Sequence, residues 1–396
     1  MKFEKAYIPY GGYYCSPFAK WQGSLSNENS IVLGAETAKR WMASKGWETP
    51  VFDYTYHGIT VVQKSCFYGS TWANALMGAQ VPGMTIIQAC STATTCIHTA
   101  ALAVETGTQT TPFCFLADRL SNAPHLIWPN PQGPGGEVLS ENWNMDNINA
   151  DPSTGQGMLN TAENVAKLVG ATREEADELA VLRYEQYEQA LKNDRAFQKK
   201  YMFPVEVKVS RKKTITLDAD EGVTPATSEG IAHLKPVMQG GIHTFASQTH
   251  PADGNAGIIV TTRERAQELS SDPKRTVRIL SYGFARVEKA HMPAAPVPAA
   301  QMALDRAGIT IKDVAVIKTH NPFAANDLYF AKKFGIDLKK MDNYGCSLIF
   351  GHPQAPTVAR LVIEGIEEAV LLGGGYVLVA GCAAGDTGAA LVLQVS

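Results

Sequence analysis

Two blocks of the chain, one reaching to about residue 120 and one starting near residue 275, alternate short apolar runs with helix-like stretches, and a more polar segment separates them. In the first block the run from Met84 to Ile87 precedes a helix-like stretch from Ile97 to Glu105. In the second, strand-like VAVIKTH is followed by helix-like RLVIEGIEEAVLL and by two apolar runs, YVLVAG and ALVLQV, joined by a Gly-containing loop. Segments that switch between a two-residue and a 3.6-residue period pack as sheets covered by helices, so this pattern predicts an α/β layer structure. Between the blocks, over about 121–247, Pro, Gly and Asn accumulate, as in WPNPQGPGG, before the clearest helix of the chain. There Thr172 and Glu175 form a capping box, and Ala176, Leu179, Ala180, Leu182 and Tyr187 supply an apolar stripe that runs to Lys192. The middle segment reads as an inserted, more polar domain.

Composition narrows the partners. The chain has 396 residues, 45% hydrophobic and 18% charged, enough to bury substantial cores. Its net charge of -3 arises from 35 basic and 38 acidic side chains spread along the sequence, which argues against nucleic acid or an anionic membrane as a partner. The start MKFEKAYIPYGG has no apolar core of a leader and the end LVLQVS matches no address motif, so a cytoplasmic location is expected. Seven cysteines, at 15, 66, 90, 96, 114, 346 and 382, make no CxxC pair and no spacing typical of a zinc site. Reduced thiols and no resident metal are expected, and any functional cysteine should be catalytic.

Four residues stand out as chemistry. Cys90 ends MTIIQAC and opens STATTCIHTAALAVE, which suits a strand running into a helix start, where free N–H groups and the macrodipole would stabilise a thiolate. A buried, inert cysteine is the competing reading. His352 lies in CSLIFGHPQAPTVAR, where Gly351 permits a tight backbone path and Pro353 suits a first helical position, although capping or packing would also use a histidine here. His320, in KTHNPFAAND, closes a strand-like run and carries the same ambiguity. Cys382 sits in a loop of small residues, GCAAGDTG, of a kind that also makes ordinary hairpins. Two thiols and two imidazoles at strand ends in separate segments suit covalent acyl transfer, one thiol attacking and the other moving protons.

In this order, SPFAKWQGSL, VPGMTIIQAC, ADRLSNAP, GMLNTAENVAKLVGATREEADELA, PADGNAGIIV, HNPFAAND, GHPQAPTVAR and GCAAGDTGAALVL resemble the thiolase family over nearly the whole chain. The resemblance implies a duplicated α/β fold, two similar halves each with a mixed five-stranded sheet and helices, plus an inserted loop domain. The halves would be residues 1–120, completed by about 248–270, and 271–396, with the loop domain at 121–247. It implies Cys90 as the acylated nucleophile, His352 as its base, Cys382 as the thiol that shuttles the α-carbon proton, and the backbone N–H groups of Cys90 and Ala384 as an oxyanion hole. Coenzyme A and its thioesters are implied as substrates rather than permanently bound cofactors, with Met158, Thr249 and Phe323 among the contacts.

The departures from that pattern concern the pocket. Where common thiolases carry Asn-Glu-Ala-Phe, this chain has His320, Asn321, Pro322 and Phe323, closer to the His-Asp-Cys-Phe motif of sterol-carrier-type thiolases but with Pro322 in place of the cysteine. Gly157 and Thr224 stand where a coenzyme A-contacting histidine and arginine are usual, and Thr249 and His250 replace a Ser-Gly pair. The basic runs around Lys199 and Lys212 are read as solvated surface. The implied reaction is reversible cleavage of a 3-oxoacyl-CoA, with enolate stabilisation near His320 and His352 and an aryl substrate such as benzoylsuccinyl-CoA among the candidates. The rival readings are a decarboxylating 3-oxoacyl synthase and a non-catalytic lipid-carrier or complex subunit. A homodimer or dimer of dimers, and a small zinc-ribbon and OB-fold partner subunit, complete the expectations.

Overall fold

The computed structural model describes residues 1–48 and 50–396. Strands of the first sheet lie in the spatial order Tyr13–Cys15, Ala252–Ile259, Pro112–Arg119, Tyr54–Gly58 and Gly83–Ile86, with Ala19–Lys20 also beside Ala252–Ile259. Counted along the chain this five-strand path runs first, fifth, fourth, second, third; its first two contacts are antiparallel and its last two parallel. The second sheet repeats the scheme with Val277–Arg286, Thr387–Val395, Gly375–Ala383 and Val314–His320, again antiparallel twice and then parallel. Such a repeat is a duplicated α/β unit.

The second sheet has four strands among the described residues where five were expected. At the place of the missing edge strand, one parallel bridge joins Ile317 to Met341. The next residues cannot extend it: Asp342, Tyr344 and Gly345 all have positive φ and turn the chain away. The Asp342 carboxylate, rather than a backbone ladder, takes the N–H and the hydroxyl of Thr319.

Five helices matter for the site: α1 (Thr92–Thr106), α2 (Met158–Val169), α3 (Arg173–Arg195), α4 (Ala324–Phe334) and α5 (Ala355–Leu371). Helix α5 packs against strands of both sheets and against α1, and every residue from Ala355 to Ala369 is buried. A helix buried all round must be apolar or fully paired. Its charged residues meet the second condition, with Arg360 held by Asp220 and Glu364, and Glu367 accepting the Tyr13 hydroxyl at 2.6 Å.

Residues 121–247 leave and return between Pro112–Arg119 and Ala252–Ile259, two strands that are hydrogen-bonded neighbours. They hold α2, α3 and two hairpins. Helix α3 opens with Thr172 accepting the Glu175 N–H and Glu175 accepting the Thr172 N–H, and its helical backbone stops at Lys192. Among the described residues no helix is long and apolar enough to cross a membrane, and all seven cysteines are free thiols.

Candidate active site

The residues singled out for chemistry come together from both halves: Cys90, His320 and Cys382 from the carboxyl ends of strands and His352 from the turn before α5. Strand Gly83–Ile86 runs out toward Ala89, whose φ of 44° bends the backbone sharply before the one-turn segment Ala89–Ser91 enters α1. Thr92 locks this elbow, since its Oγ1 accepts the Gln88 N–H and donates to the Ala89 carbonyl. The half-buried Cys90 thiol is thereby aimed at the second half of the molecule.

His352 comes from that half. Gly351 has a φ of 90°, and a Cβ there would meet His250 Cε1 at 2.6 Å, so only glycine fits the approach. The helix expected to begin at Pro353 begins instead at Ala355, because Gln354 adopts a φ of 52° and Pro356 takes the early helical position. His352 is therefore held in the turn before α5. Its Nε2 lies 3.1 Å from Cys90 Sγ and its Nδ1 2.7 Å from Thr357 Oγ1. With the Nδ1–H donated to Thr357, Nε2 presents a lone pair to the thiol.

His320, at the end of Val314–His320, stacks near His352 with ring centroids 4.1 Å apart. Its Nδ1 lies 2.8 Å from Ser347 Oγ. The Ser347 hydroxyl donates to Asn321 Oδ1, which leaves Oγ to accept from the His320 Nδ1–H and puts the free lone pair on Nε2. That Nε2 is buried and has no hydrogen-bond partner. Cys382 lies near the end of Gly375–Ala383, buried, with Asn326 Nδ2 donating to its sulphur at 3.3 Å. Around it Ala162, Met292, Phe323 and the partly buried Met158 form an apolar cluster.

The expectation of a thiolate at rest is corrected. Burial is the largest influence on Cys90 and pushes its pKa up to about 12, while hydrogen bonds from the backbone N–H groups of Cys90 and Ala384 pull the other way without winning. Burial, reinforced by His320, holds His352 well below the usual histidine range, and burial takes His320 down to about 3. Cys382 is raised above the ordinary thiol value by burial first and by Cys90 next. The resting site is thus four neutral groups. The same two N–H groups that face Cys90 Sγ are available to an oxygen formed there.

Thr249 lies against the site loop, but its hydroxyl donates to the Ser347 carbonyl at 2.5 Å and its N–H to the Pro322 carbonyl at 2.7 Å. Gly157 caps α2, and a Cβ there would sit 2.8 Å from the Asn149 carbonyl; Thr224 is exposed, as are Lys199 and Lys212. Several positioning residues escaped the reading of the sequence. Thr357, Ser347 and Asn326 orient His352, His320 and Cys382, and Asp118 accepts N–H bonds from Thr60, Val61 and Ala355, tying the first half to the start of α5. Glu163 of α2 accepts His243 Nδ1–H at 2.9 Å, while His243 Nε2 accepts the Ala325 N–H at the start of α4, which carries Asn326. A lone histidine in GGIHTFA gives no signal of that link; only the contact does.

The sequence matches the model of the thiolase N-terminal domain over residues 13–264 and that of the thiolase C-terminal domain over residues 273–395. It is 30% identical over 382 residues to the β-ketothiolase BktB of Cupriavidus necator, a match covering 94% of this chain and 95% of the relative. Among solved structures, the Bacillus anthracis acetyl-CoA acetyltransferase superposes with a TM-score of 0.91 at 24% identity, over 100% of both chains. Human mitochondrial 3-ketoacyl-CoA thiolase in complex with CoA superposes at 0.90 and 23% identity, over 100% of this chain and 99% of that one.

Proposed function

Because the chain belongs to the thiolase family and is an acyltransferase, we propose that it reversibly cleaves a 3-oxoacyl-CoA into two acyl-CoAs through an acyl thioester on Cys90. The observation that carries this reading is His352 Nε2 at 3.1 Å from Cys90 Sγ, with the imidazole kept neutral and able to accept a proton. A thiol with a pKa of about 12 is not ionised in advance, so its proton passes to His352 Nε2 as sulphur attacks C3 of the substrate. The oxyanion formed at C3 receives the N–H groups of Cys90 and Ala384, each contributing about 3 kcal/mol if preorganised.

Collapse of that adduct breaks the C2–C3 bond and leaves the electron pair on C2 as an enolate, which takes the Cys382 proton and departs as the shorter acyl-CoA. The Cys382 thiolate then takes the thiol proton of free coenzyme A, whose sulphur attacks the acyl carbon, and Cys90 leaves with the proton returned by His352 Nε2. For His320 to donate to the enolate oxygen, the Ser347 hydroxyl must turn from Asn321 to His320 Nδ1, moving the imidazole proton to Nε2; Asn321 Oδ1 keeps the Leu348 N–H. Met158 and Phe323, packed beside Cys382, are proposed to contact the acyl-pantetheine arm. Thr249 and His250, in place of the Ser-Gly pair of common thiolases, are the basis for including a bulky or aryl acyl group, such as that of benzoylsuccinyl-CoA, among the substrates proposed.

Mass spectrometry after incubation with acyl-CoA tests the scheme. Cys90→Ala should give no acyl adduct, and Cys382→Ala should acylate at Cys90 yet neither make nor break the carbon-carbon bond. Label on Cys66 or Cys96 with Cys90 free would overturn it. The Cys90, His320 and His352 cluster also favours a second reading, a decarboxylating synthase, which a requirement for a malonyl thioester would establish; Cys382 with its donor Asn326 supports the first.

The oligomer proposed is built on the edge strand Gly83–Ile86. Phe67, Tyr68, Met84 and Ile87 are 94%, 67%, 44% and 57% exposed beside that open edge, a face suited to a second copy of the chain. A small zinc-ribbon and OB-fold partner is carried as a further proposal, overturned by full activity of the purified chain alone.

A further inference from the structure

We propose that Cys90, His320 and His352 form a three-ligand site for a thiophilic divalent cation, Zn2+ being the fitting ion, and that the bound ion competes with acylation of Cys90. The inference stands on the arrangement of donor atoms and not on the reaction proposed above. Cys90 Sγ and one ring nitrogen from each histidine all lie within 4.8 Å of one another. A tetrahedral zinc with Zn–S near 2.3 Å and Zn–N near 2.0–2.1 Å sets its ligand atoms about 3.3–3.6 Å apart, so the 3.1 Å pair of Cys90 Sγ and His352 Nε2 opens slightly and the wider separations, up to 4.8 Å, close by about 1 Å through rotation of the His320 ring.

The outer groups are already those of a metal centre. A ligating histidine donates its far ring N–H to an oxygen that fixes the tautomer and the ring plane. Ser347 Oγ, which donates to Asn321, does this for His320, and Thr357 Oγ1, 2.7 Å from His352 Nδ1, is placed to do it for His352, which makes Nε2 the free ligand atom of each ring. His320 Nε2 has an unused lone pair although the residue is 0% exposed, a desolvated donor with nothing to bind. One sulphur, two imidazole nitrogens and no carboxylate select Zn2+ or Cu+ over Mg2+ and Ca2+. The fourth position is left to water or to an incoming thiol. Binding releases the Cys90 proton to solvent and involves no change of oxidation state. The third ligand exists because position 320 is histidine; asparagine there would leave a two-ligand pair.

The experiment uses the full chain, stripped with chelator and titrated with Co2+. A stoichiometric complex with a sulphur-to-cobalt charge-transfer band in the near ultraviolet and intense visible bands of a tetrahedral ion is expected, bleached by one equivalent of Zn2+. The charge-transfer band should vanish in Cys90→Ala and persist in Cys382→Ser. Zn2+ affinity, from competition with a chromophoric chelator, should fall at least tenfold in His320→Asn and by about 10–100-fold in Ser347→Ala. Saturating Zn2+ should block carbamidomethylation of Cys90 in the wild-type chain. The proposal is overturned if the wild-type chain binds Co2+ without a thiolate band, if Zn2+ affinity is equal in wild type and folded His320→Asn, or if the band depends on Cys382. The wild-type spectrum decides the matter even where a variant fails to fold.

Discussion

The contest at Cys90 is between a helix start, which favours the thiolate, and burial, which favours the thiol, and burial wins with the pKa near 12. Alkylation of Cys90 by iodoacetamide should therefore accelerate close to tenfold per pH unit between pH 6 and 9, with no plateau; a flat rate near neutrality would show a preformed thiolate. His352 must be neutral to act as base, and its pKa lies below 6.5. The imidazole takes up its proton only below that lowered value, so the acid limb of kcat/KM in the free enzyme should fall below pH 6.5, as a pH-rate profile would read. Thr357→Val removes the acceptor that fixes the His352 tautomer, and kcat should drop about 10–100-fold for a stability loss near 1 kcal/mol, measured by turnover and urea midpoints. Small residues and glycine drew notice to Cys90, His352 and Cys382 but left each with a structural alternative, and only the order of motifs resembling the thiolase family gave them roles. Ser347, Thr357 and His243 drew no notice, because a hydroxyl or a lone imidazole has no sequence period and gains meaning only from a partner 5, 27 or 80 positions away.

At the scale of elements, the capping box at Thr172 was readable because both halves of the cap lie within four residues. The burial of Arg183 on the same helix was not, since its partners Asp327 and Asp342 sit across α4 and the following turn. Arg183→Met leaves two carboxylates uncompensated and should cost about 3–5 kcal/mol, seen in thermal or urea unfolding. Asp118 joins the first half to α5, and burial raises its pKa to about 7 despite the N–H bonds that oppose the rise. Below about pH 4 the side chain is protonated in both folded and unfolded chains. Between pH 4 and 7 the unfolded chain loses the proton and the folded one resists, so the Asp118 contribution to stability falls as pH rises, by at most about 4 kcal/mol, and levels off above 7. Asp118→Asn should flatten that part of the stability profile.

Over the whole molecule, the two blocks of alternating texture correspond to two sheets with one strand order, and that much of the architecture was open to a period count. The loss of the fifth strand at Met341 was hidden, because it follows from positive-φ turns at Asp342 and Tyr344, which non-glycine residues seldom adopt and which here are imposed by the contacts around them. The apolar edge at Met84 and Ile87 belongs to this scale too: Met84→Glu should shift the sedimentation coefficient toward that of a single chain, while an unchanged value would place the subunit contact elsewhere. The detour of residues 121–247 between two neighbouring strands also bears on how the chain is made. Pro112–Arg119 leaves the ribosome long before Ala252–Ile259, its partner across the ladder. At about 5–20 residues per second, that strand waits on the order of ten seconds with one edge bare. In that interval a nascent chain is open to chaperones and to wrong pairings, and the wait grows with each residue added to the detour.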